Sequence, residues 1–169
     1  TARALPMADA APAHGADVTF AVAVAGGGGR QCEFHAHREL LCARSPYFRA
    51  LLAGGMREHG ATRFELDTDV KAHVFALLLE FVYTEGIASA AERLPVDVCL
   101  DLLALSSMWM LDALLAFVED MLVTEFVLDA ADCAQVYEFA TVHRAPRLAA
   151  LARRCFHQNA DLVRRSDAF

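Results

Sequence analysis

A change of hydrophobic period near residue 37 narrows the fold more than any other feature of this chain. Residues 17–25 (DVTFAVAVA) put Val18, Phe20, Val22 and Val24 on one face at a spacing of two, the period of a strand with one buried side. The glycine run 26–29, followed by residues 30–36, reads as a hairpin turn and a returning strand with Cys32 and Phe34 inward. From His37 the spacing becomes helical: Leu40, Leu41, Tyr47, Phe48, Leu51 and Leu52 recur at three and four. Ser45-Pro46 breaks this unit, since proline lacks a donor yet suits the first turn of a new helix. A short strand is expected at 63–66 (RFEL).

Helices are then expected at 70–83, with Asp69 as cap and Val74, Phe75, Leu78, Phe81 and Val82 inward, and at 95–106, 111–123, 130–142 and 146–158. Asp129 and Asp132 form a weak capping pair before the fourth of these helices. Strands come first and helices follow without alternation, which points to an α+β fold with a helical tail rather than a parallel α/β sheet. No internal repeat is visible in the sequence.

Composition removes several function classes. A chain of 169 residues that is 56% hydrophobic can bury a core without metal or disulfide staples. Its net charge of -7 lacks the basic footprint of a nucleic-acid module. No apolar run reaches the roughly 18 residues of a membrane span, and the first residues carry no secretory pattern. Residues 1–15 read as a loose Ala/Pro-rich leader. Cys32, Cys42, Cys99, Cys133 and Cys155 are odd in number, widely spaced and free of any CxxC pair. That argues for reduced thiols in a cytoplasmic or nuclear protein, with neither a disulfide framework nor a structural zinc site.

Catalytic chemistry finds little support. The glycine run precedes a strand, whereas a phosphate loop would precede a helix. His35 and His37 form an H-x-H pair with Cys42 and His59 nearby in sequence, but no further ligand has suitable spacing, so a structural histidine at a strand–helix junction is the expected role. Glu80, Asp101, Asp112, Glu119 and Asp120 read as solvated helix faces. Met108-Trp109-Met110-Leu111 reads as core at a helix junction, with contact surface for a partner as the alternative.

Several motifs in a fixed order resemble the BTB/POZ family. They are Asp17-Val18 at the first strand, Phe34-His35-Ala36-His37-Arg38, Leu40-Leu41, Ala43-Arg44-Ser45-Pro46-Tyr47-Phe48, Val74-Phe75 through Leu78, Phe81-Val82-Tyr83-Thr84, and the Leu-rich segment 100–114. Residues 130–159, with Gln135 to Ala140, Arg147-Leu148, Cys155-Phe156 and Asn159, resemble the 3-box that opens a BACK region in cullin-3 adaptors. The expected layout is a leader at 1–15, a BTB/POZ domain at 16–124, and 3-box/partial BACK helices at 125–169.

The resemblance implies a non-catalytic, homodimeric adaptor that brings a substrate, held by a domain outside this segment, to a cullin-3 RING ubiquitin ligase. It implies dimer contacts at Leu40 with Leu5 and Met7 in the N-terminal flank, although residues 1–15 lack the amphipathic element usual there. It implies cullin-3 contacts at Met56, Arg57, Glu58, His59 and Tyr83, Met56-Arg57-Glu58 matching a hydrophobic-x-Glu motif. Asp17 and Arg38 match a charged groove that holds a corepressor in BTB transcription regulators, and a plain oligomerisation scaffold is the third reading. No cofactor, metal, nucleic acid or membrane is implied. Lys71, the only lysine among 15 basic residues, is the one side-chain amine that could accept ubiquitin.

Overall fold

Strand β1 (Val18–Ala23) lies at the centre of a three-stranded sheet of order β2-β1-β3. This computed structural model describes residues 15–23, 31–53, 62–66, 70–88, 94–125, 128 and 132–166. β2 (Gln31–Ala36) runs antiparallel to β1 with Phe20 opposite Phe34. β3 (Arg63–Glu65) runs parallel to it with Phe20 opposite Phe64. The alternation in β1 sorts the sheet into two faces. Val18, Phe20 and Val22 are buried, while Cys32 and Phe34, expected inward, are half-buried on the same face. The other face is polar. There Arg63 reaches across the central strand to ion-pair with Glu33 and donates to Gln31, and its guanidinium holds the Glu33 carboxyl below the usual carboxylate range.

Helices α1 (Arg38–Arg44) and α2 (Pro46–Ala53) follow β2; α3 (Ala72–Thr84), α4 (Val96–Met108), α5 (Asp112–Glu125), α6 (Cys133–Val142) and α7 (Pro146–Ser166) follow β3. The expected elements are present with bounds shifted by a few residues, and α7 runs further than expected because no Gly or Pro after Pro146 stops it. The core is aromatic at its centre. Phe20 lies 5.4 Å from Phe75 and 5.8 Å from Phe48, ring centre to ring centre. Phe75 also meets Phe34 at 5.0 Å and Trp109 at 5.8 Å, both edge-on. Edge-to-face geometry brings a ring's positive rim to its neighbour's negative face and is worth about 0.5–1.5 kcal/mol per pair beyond burial. Four elements and the α4–α5 turn are thereby joined to one cluster.

Ser45 links the α1–α2 pair to that turn. It is fully buried, its Oγ accepts the Phe48 N–H at 3.1 Å, and it donates to the Trp109 carbonyl at 2.6 Å. It therefore caps α2, with Pro46 as the first helical residue. The capping expected elsewhere is different: Asp69 and Asp129 lie outside the described residues, and Lys71 and Asp132, which precede α3 and α6, make no side-chain cap bond.

The two C-terminal hairpins share one construction. Leu111 N–H bonds to Ser106 C=O and Met110 N–H to Ser107 C=O; Ala145 N–H bonds to Ala140 C=O and Arg144 N–H to Thr141 C=O. Both are Schellman turns, and Met110 and Arg144 take the left-handed conformation there at φ 53° and 57°. An offset of 34 residues (110 to 144) also pairs Cys99 with Cys133, Ser106 with Ala140, Leu114 with Leu148 and Val118 with Ala152, all buried. The structure thus holds two related αα-hairpins, where the sequence shows no repeat.

Candidate functional site

Three surfaces collect the residues singled out by sequence. The first is the junction of β2 with α1. β2 ends at Ala36, so His35 and His37 do not share a strand face. His35 meets Thr19 Oγ1 through its Nδ1 at 3.0 Å. His37 precedes α1, its N–H donates to the Tyr83 hydroxyl oxygen at 2.9 Å, and that hydroxyl lies 2.7 Å from His37 Nδ1. Tyr83 thereby fastens the end of α3 to the start of α1 while remaining 41% exposed. His37 offers α1 no side-chain cap. Asp17 does so from just before β1, its Oδ1 accepting the Arg38 N–H at 2.7 Å, which favours the positive end of the helix. The Arg38 guanidinium lies 3.9 Å from Asp17 Oδ2 and donates to the Leu52 carbonyl at 2.5 Å, one of the carbonyls that the end of α2 leaves without a helical partner. The Asp17/Arg38 pair is therefore real, and it is bound into the α1–α2 framework.

Leu40 and Leu41, adjacent on α1, divide as their angular separation requires. Leu41 is fully buried and Leu40 half-buried against the edge of the core. Leu5 and Met7, and Met56, Arg57, Glu58 and His59, lie outside the described residues.

The second surface surrounds Lys71. Its Nζ bonds to Asp101 Oδ2 at 2.5 Å with about half of each side chain exposed. That hydrogen bond, with the Asp101 charge behind it, raises the Lys71 pKa. The pair borders a cleft of about 250 Å3 that Val74, Leu105, Met108 and His143 also line. Burial lowers the His143 pKa.

The third surface is apolar and lies on α6 and α7. Tyr137 and Phe156 are 45% and 56% exposed and, with Cys133, Ala134, Ala152, Arg153 and His157, border a groove of about 360 Å3. At the α4–α5 turn, the 108–111 cluster splits: Trp109 and Leu111 are buried as core, while Met108 and Met110 are 56% and 48% exposed. Exposed Met and aromatic side chains of this kind suit a protein partner.

Of the acidic residues read as solvated faces, Asp112 and Asp120 are exposed as expected, while Glu119, Glu80 and Asp101 need correction. Glu119 is 3% exposed. Its Oε1 accepts the N–H groups of Arg147 at 2.6 Å and Leu148 at 3.0 Å, and Asp120 beside it pairs with the Arg147 guanidinium. Glu80 and Asp101 are half-buried, Glu80 accepting the Ala88 N–H at 2.6 Å. The period of α5 places Glu119 on the buried stripe of Leu111, Leu114, Leu115, Val118 and Leu122; what it does not show is the partners, which lie on another helix 28 and 29 residues on. Among the described residues no three His, Cys, Asp or Glu side chains converge on a metal-sized space, and no helix is long and apolar enough to cross a membrane.

The sheet is buried on one face by helices, with α1 and α2 joined through Asp17, Arg38 and Ser45, and the sequence of residues 11–125 matches the model of the family described as "BTB/POZ domain". This chain belongs to the BTB/POZ family. The BTB/POZ domain-containing protein 9 of Homo sapiens is 31% identical over 153 residues, which cover 90% of this chain and 23% of that protein. Kelch-like protein 21 of Danio rerio is 36% identical over 130 residues, 75% of this chain and 19% of that protein. Its Homo sapiens counterpart is 37% identical over 139 residues, 82% and 21% respectively. This BTB/POZ chain therefore spans roughly a fifth to a quarter of the length of the curated relatives it matches. An alignment of 153 residues exceeds the span 11–125, so the likeness to protein 9 continues into the tail helices. The BTB/POZ domain makes the segment a protein-interaction module, with an α+β BTB fold.

Proposed function

We propose that this chain is the homodimeric adaptor segment of a cullin-3 RING ubiquitin ligase, in the cytoplasm or nucleus, binding cullin-3 through BTB and 3-box surfaces and leaving substrate capture to another domain. The observation that carries this reading is the αα-hairpin α6–α7 seated directly on the BTB fold, with an apolar groove open to solvent. A BTB domain acting as a plain scaffold has no need of that second surface. Residues 16–124 are the BTB unit in this reading, 125–169 the 3-box-like unit, and 1–15 a leader whose Leu5 and Met7 join Leu40 at the dimer contact. Met56 fills an apolar pocket on cullin-3 while Glu58 fixes the register through a charge-assisted bond, flanked by Arg57, His59 and the exposed Tyr83. The segment itself is non-catalytic. The corepressor reading is less favoured, because Asp17 and Arg38 already serve the α1 start and the α2 end.

Calorimetry against the cullin-3 N-terminal domain, with light scattering for mass, tests this. Wild type should bind as two chains with two cullins. Truncating a central anchor costs about 1–4 kcal/mol, so Met56→Ala/Glu58→Ala should weaken binding about fivefold to several hundredfold. A folded dimer that does not bind would leave the scaffold and corepressor readings.

Lys71 is proposed as the ubiquitin acceptor of this segment. An acceptor amine attacks in its neutral form, and the bond to Asp101 ties up the Lys71 amine and favours its protonated form. In a reconstituted ligase with blocked N-termini, Lys71→Arg should abolish modification of this chain and Asp101→Asn should accelerate it. Modification that survives Lys71→Arg would remove the assignment.

A further inference from the structure

The start of α7 is built in an uncommon way. Ala145 is the residue before the helix, its C=O accepts the Ala149 N–H, and it is fully buried. A helix start leaves N–H groups without helical partners, usually met by a Ser, Thr, Asp or Asn side chain at this position. Alanine has no acceptor. Glu119 meets the need from α5, taking the N–H groups of Arg147 and Leu148 on one buried carboxylate oxygen. Around it, Asp120 pairs with Arg147, and the Arg144 guanidinium donates to the Ser107 carbonyl and lies 3.6 Å from Asp112. Thus the α6–α7 hairpin is tied to α4–α5 at its turn and at the first turn of α7. The repeat sharpens the point. At the position equivalent to Glu119, 34 residues on, the second hairpin carries an exposed Arg153 on the rim of the open groove, so the carboxylate belongs to the seam and not to the hairpin pattern.

We infer that Glu119 is a positioning residue that fixes the angle between the BTB surface and the α6–α7 groove, so that a partner touching both meets one preorganised surface. This rests on the adaptor reading for the identity of the partner, though not for the joint itself. A joint that sets geometry in advance spares the complex the cost of ordering the second surface on binding.

Backbone hydrogen exchange and cullin-3 affinity on the 169-residue chain separate a joint from a helix cap. Glu119→Leu removes the acceptor at similar volume. It should speed exchange in α6 and α7 about tenfold or more while the amides of β1 and α3 keep their protection, and it should weaken cullin-3 binding about tenfold. Glu119→Gln keeps the accepting oxygen and should stay within about threefold of wild type in both. Ala145→Ser in the Glu119→Leu background supplies a cap from the residue that directly precedes α7. It should restore protection of the first turn of α7 and leave affinity low. Recovery of both by Ala145→Ser would overturn the inference, since Glu119 would then be a cap alone. Unchanged exchange or unchanged affinity in Glu119→Leu would overturn it as well. If Glu119→Leu does not fold, Glu119→Ala carries the same comparison. If wild type does not bind cullin-3, the adaptor reading fails, and the exchange of α6 and α7 against β1 decides the joint by itself.

Discussion

Phe75→Ala should lower the unfolding free energy by about 3–5 kcal/mol, a large share of the 5–15 kcal/mol typical of a domain. Phe75 is fully buried and stands edge-on to Phe20, Phe34 and Trp109 at interplanar angles of 64°, 80° and 88°. Removing the ring subtracts its burial, three aromatic contacts and the filling of a space whose walls come from β1, β2 and the α4–α5 turn. Those walls are held by sheet hydrogen bonds and by the Ser45 bridge, so they can collapse only in part. Urea titration followed by circular dichroism gives the value. A shift below about 1.5 kcal/mol would mean that the cluster repacks, contrary to a rigidly walled core. Phe75→Leu, which keeps more of the volume, should cost less than Phe75→Ala.

Ser45→Ala should cost about 2–4 kcal/mol, although it removes one oxygen atom. The hydroxyl serves two buried groups at once, accepting from Phe48 N–H and donating to the Trp109 carbonyl. Losing a helix cap costs about 0.5–2 kcal/mol and stranding a buried polar group about 1–3 kcal/mol. Trp109 is the only tryptophan in the chain, so its fluorescence reports on the affected junction directly. The expected result is a lower urea midpoint with an unchanged slope, seen equally by fluorescence and circular dichroism. A change under about 0.5 kcal/mol would show that water replaces the hydroxyl at no loss.

Much of this fold is legible in the sequence because burial repeats with the period of the element. Val18, Phe20 and Val22 at a spacing of two, and Val74, Phe75 and Leu78 at helical spacing, lie buried as their periods require. Family resemblance added what period cannot, the order of the motifs and the Asp17/Arg38 pair, whose partners come from segments 21 residues apart. The parts that escaped are those where a residue's type misleads. Glu119 reads as a surface charge by type, although its position four after Leu115 and three before Leu122 lies on the buried stripe of α5; the N–H groups of α7 supply the partners that the sequence does not show. The likeness of the two hairpins is carried by Schellman turns in which Met110 and Arg144 occupy a position that glycine usually marks, so no glycine flags either turn. Leu40 and Tyr83 could be placed in the structure. Met56 to His59, read from resemblance alone, fall outside the described residues.

The dependence of α7 on a carboxylate from α5 also orders events in time. Synthesis proceeds from the N-terminus, so α5 is present before the first residues of α7 emerge. An isolated α7 start leaves amides without partners, whereas one that meets a finished α5 finds its acceptor in place. The tail hairpin should therefore condense last on a scaffold already assembled, and in the native protein its amides should open to solvent more often than those of the aromatic centre, while the whole still unfolds in one transition.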